Sequence, residues 1–229
     1  MPRIEDISGP PPSSSARLRR LCFDAALLTW LTSVPPDRVG VTRLLCLGVT
    51  LKPTSSGGGF DLDLSTPDAH KTAAAFGPTV TAVPAPTCAL LRAWLALAGL
   101  PSAAAASQQP YVFVPPPASS SSTSAASSSS AATSTTSGHA APVSAKRWTK
   151  VVQQAFQRHA GVALCPKDLR SSYITWLRSE ANTDAALKSA AFAMRHSTAQ
   201  QAGPAYDKER SSRLSQAAVQ QAQAHAARF

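Results

Sequence analysis

Six side chains have the chemical types that bind phosphate or move protons. The guanidinium fork fits an oxyanion, lysine and histidine donate protons, and a tyrosine hydroxyl becomes a nucleophile once it loses its proton. Taken singly, each also has an ordinary explanation as a surface, capping or packing residue. Whether they can act together on one phosphate depends on the helices and strands that position them. They are Arg38, Lys71, Lys167, Arg170, His196 and Tyr206.

The charge of the chain favours a polyanionic partner. Lysine and arginine number 22 against 12 acidic residues, which gives a net charge of +10. The last 84 residues hold 13 of these bases and 5 of the acids, or +8. Such a basic segment indicates nucleic acid before membrane, with a solvated charged face as the alternative. The run RLRR at residues 17–20 suggests nuclear import, or simply a solvated helix start.

Cysteine usage and hydropathy favour an intracellular protein, with a nuclear location expected. Cys22, Cys46, Cys88 and Cys165 lack the paired spacing of a zinc site and the density of a secreted disulfide framework, so we expect buried thiols. The apolar stretch LCFDAALLTWLTSV is too short to span a membrane and contains Asp24. We therefore expect no membrane insertion, no metal and no cofactor.

The first hundred residues predict two helices, a strand meander and a third helix. Residues 1–17 are predicted to be disordered, and residues 21–34 to form a helix stopped by a double proline. Asp37 is expected to cap a second helix through RVGVTRLLCLG, ending at Gly48. Three strands are predicted around VTLK, FDLDLS and TVTAV, and a helix through TCALLRAWLALAG ends at Gly99.

A low-complexity insertion is predicted at residues 101–145. This stretch contains no Asp, Glu, Lys or Arg, and residues 118–137 are only Ser, Ala and Thr. Such a composition does not offset the entropy of ordering, so we expect disorder, with YVFV at residues 111–114 as its one apolar point. Loop closure costs little more for a long loop, so the two flanks can form one domain over residues 18–214.

Helices are predicted for the remainder of the chain. Ser144 caps a helix with Trp148, Val151, Val152 and Phe156 on one face, ended by Gly161. Pro166 starts a helix with an apolar stripe of Leu169, Tyr173, Trp176 and Leu177, and Arg170 lies one residue off that stripe. A shorter helix covers residues 184–194, and an Ala/Gln-rich helix covers residues 211–229.

The order of these residues resembles the catalytic set of the tyrosine recombinases, the phage-integrase-like enzymes that break and rejoin DNA, especially members from eukaryotic mobile elements. Two stretches carry the most specific resemblance, CPKDLRSSYITWLRS and AMRHSTAQQAGPAYDK, similar to the second-arginine box and the histidine-to-tyrosine box. Less specific are PPDRVGVTRLLCLGVTL and DLDLSTPDAHKTAAAFGP, similar to the first-arginine box and the lysine hairpin. The resemblance covers about residues 21–214, apart from the insertion, and implies an α+β, mostly helical catalytic-domain fold with a small three-stranded sheet.

The resemblance also implies a role for each residue. Arg38 and Arg170 would neutralise the non-bridging oxygens of a DNA phosphate, and Tyr206 would attack phosphorus to form a 3′-phosphotyrosyl link. Lys71 would protonate the leaving 5′ oxygen, and His196 would hydrogen-bond the phosphate or the nucleophile. The family usually has histidine where this chain has Lys167, and an acidic residue where it has Val41.

Several functions are compatible with the sequence. The first is site-specific recombination of double-stranded DNA, with self-assembly on the DNA. The second is a catalytically degenerate DNA-binding remnant of a mobile-element recombinase. The third is a type IB topoisomerase-like enzyme, which uses a similar set of arginine, lysine and tyrosine residues. The fourth is a helical interaction protein whose basic half is only a solvated surface, with no catalytic role for these residues.

Overall fold

The structure is a computed structural model in which helices surround a small antiparallel sheet. Its elements, in chain order, are α1 (Ser14–Ser33), α2 (Val39–Arg43), β1 (Leu51–Pro53), β2 (Phe60–Asp63), β3 (Val80–Ala82), α3 (Ala85–Leu97), α4 (Ala145–Ala160), α5 (Pro166–Ser179) and α6 (Asp184–Ala193). Residues 215–220 are also helical. The predicted α+β class, mostly helical with a three-stranded sheet, is confirmed. The structure describes residues 13–33, 37–66, 77–100, 110–116, 141–180, 183–195, 197, 199, 203, 212, 215–220 and 223.

The sheet is a three-stranded antiparallel meander in the order β1-β2-β3, as the alternating sequence predicts. Leu51 of β1 pairs with Leu62 of β2, and both side chains are buried. Along β2 the buried Phe60 and Leu62 alternate with more exposed aspartates, so one face of the sheet meets the core. On the other face Lys52 and Asp63 form an ion pair at 2.7 Å.

An aromatic cluster forms the centre of the core, where α1 packs against α3 and α4. The ring of Phe113 lies 6.3 Å from Phe23, 6.2 Å from Trp30 and 5.8 Å from Trp148, measured between centroids. Trp94 of α3 stands edge-on to Phe23 at 5.1 Å. Its indole nitrogen donates to the Val112 carbonyl oxygen at 2.7 Å, so the core also fixes the backbone of that segment.

The prediction of a continuous disordered insertion is wrong for residues 110–116. Val112 and Phe113 are 0% and 1% exposed, because Phe113 packs against buried rings of α1 and α4 and burial of apolar surface is favourable. The backbone is held as well: Leu47 N donates to Pro110 O at 3.0 Å, and Val112 N donates to Leu45 O at 2.8 Å. Residues 101–109 and 117–140 lie outside the described residues.

The second helix is shorter than its sequence predicts. It ends at Arg43, and the buried residues Leu45, Cys46 and Leu47 run extended beside residues 110–112 instead. Pairing with this distant segment outweighs local helix propensity. Gly48 has a φ of 80° and ends the extended run rather than a helix.

The later helices agree closely with prediction. Ser144 Oγ accepts the backbone NH of Arg147 at 3.3 Å at the start of α4, and Gly161 ends that helix in the left-handed conformation, with φ of 72°. The four cysteines are free thiols, but only Cys46 and Cys88 are buried, which corrects the expectation that all would be. Burial raises the pKa of the Cys46 thiol. In the described ranges, no helix has the length and apolarity needed to cross a membrane.

Candidate functional site

The site is built around the turn that ends α6. Met194 caps the helix with its side chain fully buried, and Arg195 follows with a φ of 53°. A non-glycine residue in this left-handed region costs roughly 1–2 kcal/mol, so other contacts must hold it. Two successive carbonyl oxygens of the turn, those of Met194 and Arg195, accept side-chain hydrogen bonds, and both residues directly precede His196 in the sequence.

Two of the predicted phosphate-binding arginines meet at these carbonyls. Arg38 Nη2 donates to Arg195 O at 3.3 Å, and Arg170 Nη2 donates to Met194 O at 3.2 Å. Arg38 comes from the connection before α2 and Arg170 from the first turns of α5. The fold therefore brings together two guanidinium groups from distant parts of the chain.

The placement of Arg170 corrects the predicted face of α5. Arg170 is only 8% exposed and shares the buried face with Ser171, Ile174 and Leu177. Trp176, predicted to be in the apolar stripe, is 55% exposed, and its ring lies 5.9 Å from that of Tyr173. Leu177 of the predicted stripe is buried and Leu169 packs against the core, so the prediction failed at Trp176, and the buried face is shifted to include Arg170.

A buried ion pair lies behind the arginines and was not predicted as part of the site. The Arg195 guanidinium donates to Asp37 Oδ2, and both side chains are largely buried, at 4% and 7% exposure. Arg195 Nη2 also donates to Thr79 Oγ1 at 3.2 Å, just before β3. These contacts hold the strained turn against both the α1–α2 connection and the sheet.

Asp37 does not cap α2 as predicted. Arg38 occupies the N-cap position, with no side-chain cap, and the Oδ1 atom of Asp37 accepts the backbone NH of Arg38 at 2.7 Å. The aspartate is instead buried between Arg38 and Arg195. The sequence signals for this pair were the acidic residue beside Arg38 and the basic residue before the histidine, but nothing in the spacing shows that they meet.

Arg38 retains capacity to bind an anion. Among the described residues it forms no ion pair, and its buried Nε, like that of Arg43, has no hydrogen-bond partner there. An unsatisfied buried donor is costly, and a phosphate oxygen is the type of acceptor that this atom lacks. The guanidinium is partly buried, which strengthens its attraction for an anion relative to that of a fully solvated group.

The remaining predicted site residues divide into two groups. Lys167 is exposed on the first turn of α5, and no hydrogen bond or ion pair in the described part of the chain ties its side chain to the arginines. Lys71, His196 and Tyr206 lie outside the described residues. Val41 is 4% exposed and belongs to the core cluster.

The described site thus consists of three arginines and one aspartate around a strained turn. Protein-family models, curated proteins and solved structures were each compared with the chain, and none of them matches it.

Proposed function

We propose that this chain is a tyrosine recombinase catalytic domain that cleaves and rejoins DNA through a covalent 3′-phosphotyrosyl intermediate. The observation that carries the proposal is the convergence of Arg38 and Arg170 on the consecutive carbonyls of Met194 and Arg195. The proposal assigns these two arginines to one phosphate, beside the backbone that leads into His196.

The chemistry needs positive charge that does not depend on pH. The transition state of phosphodiester attack gathers negative charge on the non-bridging oxygens, and two arginines neutralise it as it develops. In the proposed step the Tyr206 oxygen bonds to phosphorus, the bond from phosphorus to the 5′ oxygen breaks, and the 5′ strand leaves as a hydroxyl. Attack of a 5′ hydroxyl on the phosphotyrosine reverses the step and releases Tyr206.

The protons follow the same path in both directions. The phenol, whose ordinary pKa is about 10, loses its proton during attack, while Lys71 gives one to the leaving 5′ oxygen. In this scheme His196 hydrogen-bonds a non-bridging oxygen or the nucleophile, and Lys167 donates to the phosphate from the exposed start of α5. No metal ion takes part.

Double-stranded DNA is the proposed partner, and several copies of the chain assemble on it to exchange strands. The net charge of +8 over the last 84 residues supports a polyanion. On this proposal the protein acts in the nucleus, and residues 17–20 are the candidate import signal.

A DNA-binding remnant without cleavage activity is the second candidate. It is favoured by the fact that both arginines already donate to backbone carbonyls, which is a structural role that does not require chemistry. The recombinase and the remnant would both bind DNA, but only the recombinase would form a covalent link to it. A type IB topoisomerase-like enzyme would also form the covalent link to DNA, but it would not need a second DNA site.

Covalent trapping separates these candidates. The full chain is mixed with labelled, nicked duplexes that cover many sequences, then denatured, and label that stays on protein is measured. We expect label with the native chain, and at least a thousandfold less with Tyr206→Phe, because that change removes the nucleophilic oxygen. The matched control is Tyr173→Phe, which removes a half-buried hydroxyl elsewhere and should leave labelling intact.

A second matched pair tests the arginines. Arg38→Ala should abolish labelling, whereas Arg43→Ala should not, although Arg43 also donates to a backbone carbonyl, that of Val143 at 3.0 Å. Salt-dependent DNA binding without any label in the native chain would favour the remnant. Label that persists in Tyr206→Phe would refute the assignment of the nucleophile.

A further inference from the structure

We infer that Asp37 and Arg195 are the positioning residues of the site, which set the direction of the Arg38 guanidinium through a buried ion pair. The inference rests on the proposed function, because it assigns these residues a role in the same reaction. It concerns two residues that neither the sequence pattern nor the resemblance assigned to the site.

The first support is a closed ring of hydrogen bonds. Arg38 donates its backbone NH to one Asp37 oxygen at 2.7 Å, and Arg195 donates a guanidinium NH to the other oxygen. The ring closes where Arg38 Nη2 donates to the Arg195 carbonyl at 3.3 Å. Both ends of the Arg38 residue are therefore fixed by the same ion pair.

The second support is the surroundings of the pair. Asp37 and Arg195 line a cavity of about 40 Å³, together with Trp30, Leu62 and Val83. A cavity of this size has room for only a few water molecules. In these mostly apolar surroundings the hydrogen bond between the Asp37 and Arg195 side chains has a well-defined geometry, because few other polar groups or waters compete for either side chain.

The third support is the backbone of Arg195. Its positive φ directs the side chain back toward Asp37 and Thr79 while its carbonyl faces Arg38. A residue held in a strained conformation by contacts of its own side chain, here to Asp37 and Thr79, is a common feature of functional sites. The carboxylate that the family has three residues after its first arginine is replaced here by Val41, and Asp37 supplies a carboxylate on the preceding side.

The test compares two neutralised ion pairs in the full chain. One double variant is Asp37→Asn with Arg195→Gln, and its control is Asp24→Asn with Arg158→Gln. Asp24 is fully buried and accepts two hydrogen bonds from Arg158, at 2.8 and 2.9 Å, between α1 and α4. Both doubles neutralise a buried aspartate and the arginine paired with it, although Arg158 itself is 38% exposed and Asp24 also contacts His159 Nε2 at 3.0 Å. Only the first double removes a pair that touches Arg38.

The readouts are the rate of covalent complex formation at saturating nicked DNA and the dissociation constant of the DNA. We expect the first double variant to slow the rate on the order of a hundredfold, since misplacing a group by about 1 Å has that effect. Its dissociation constant should change less than threefold, and the control should keep both values within threefold. A rate within threefold of native in the folded first double variant would overturn the inference.

A conservative variant covers the case in which the double variant does not fold. Arg195→Lys keeps the charge but loses the planar fork, so its rate should fall about tenfold, with binding unchanged. An unchanged rate in Arg195→Lys would also overturn the inference.

A measurement without DNA separates this inference from the proposed function. The Nε–H resonance of Arg38, assigned by its loss in Arg38→Lys, should be sharp and dispersed in the native chain and in the Asp24 and Arg158 control. It should broaden or move to the random-coil position in the Asp37 and Arg195 double variant. If the native chain forms no covalent complex but these spectra behave as expected, the proposed function fails and the positioning holds; unchanged spectra overturn the positioning.

Discussion

Replacing Phe113 with alanine should cost more stability than most single changes in this protein. The side chain is 1% exposed, and its ring contacts those of Phe23, Trp30 and Trp148 at centroid distances of 5.8 to 6.3 Å. Truncating a buried phenylalanine costs about 3–5 kcal/mol, because transfer energy is lost and a cavity remains. For a domain of this size that corresponds to a fall of about 6–20 °C in Tm.

Urea unfolding followed by tryptophan fluorescence and circular dichroism would measure the loss. The matched control is Phe192→Ala on α6, because Phe192 is 51% exposed and its loss should cost less than about 1 kcal/mol. If Phe113→Ala lost less than about 1 kcal/mol with an unchanged denaturant slope, residues 110–116 would not be part of the folded core.

Two further predictions concern the sheet and a helix end. Hydrogen bonds from Lys52 and Ser65 lower the pKa of Asp63 from 3.8 to about 2, so this group adds stability above about pH 4, which is lost as the pH falls toward 2. Lys52→Met should raise that pKa toward 3.8 in a carbon-detected NMR titration, and an unchanged titration would show that the ion pair does not form. Gly161→Ala should lower the free energy of unfolding by about 1–2 kcal/mol, because the residue has a φ of 72°, which alanine rarely adopts. In the part of the chain that the structure describes, no atom lies within 4 Å of the added methyl group, so the cost comes from the backbone alone. An unchanged free energy of unfolding in urea would contradict the left-handed helix end.

Local signals in the sequence identified most of the elements. The alternation in FDLDLS predicted β2, and Ser144 and Gly161 marked both ends of α4, because capping and left-handed ends depend on single residues. One failure is local, because residues 14–17, predicted to be disordered, form the first turn of α1. The larger failures occurred where a distant segment decides the structure. Residues 45–47 contain three apolar residues suited to a helix, yet they pair with residues 110–112, which no local pattern indicates.

In the candidate site, too, some residues were predicted from local sequence and others were not. Arg38 and Arg170 were identified from residue types and order, and the structure brings them to adjacent carbonyls. Asp37 and Arg195 were missed, because an ion pair between residues so far apart in sequence follows from packing alone. The Asp37 carboxylate lies beside a predicted helix start, where the usual capping role was the simpler interpretation.

The position of residues 117–140 makes the protein a natural candidate for fragment complementation. A cut there would leave one fragment with Arg38 and the Phe113 core segment and another with α4, α5 and Arg170. The aromatic contact between Phe113 and Trp148, at 5.8 Å, would become part of the interface between the two pieces, together with the Arg158–Asp24 and Arg195–Asp37 ion pairs. Assembly of the arginine pair would then depend on the concentration of the fragments, because cutting the chain removes the effective concentration that covalent connection supplies.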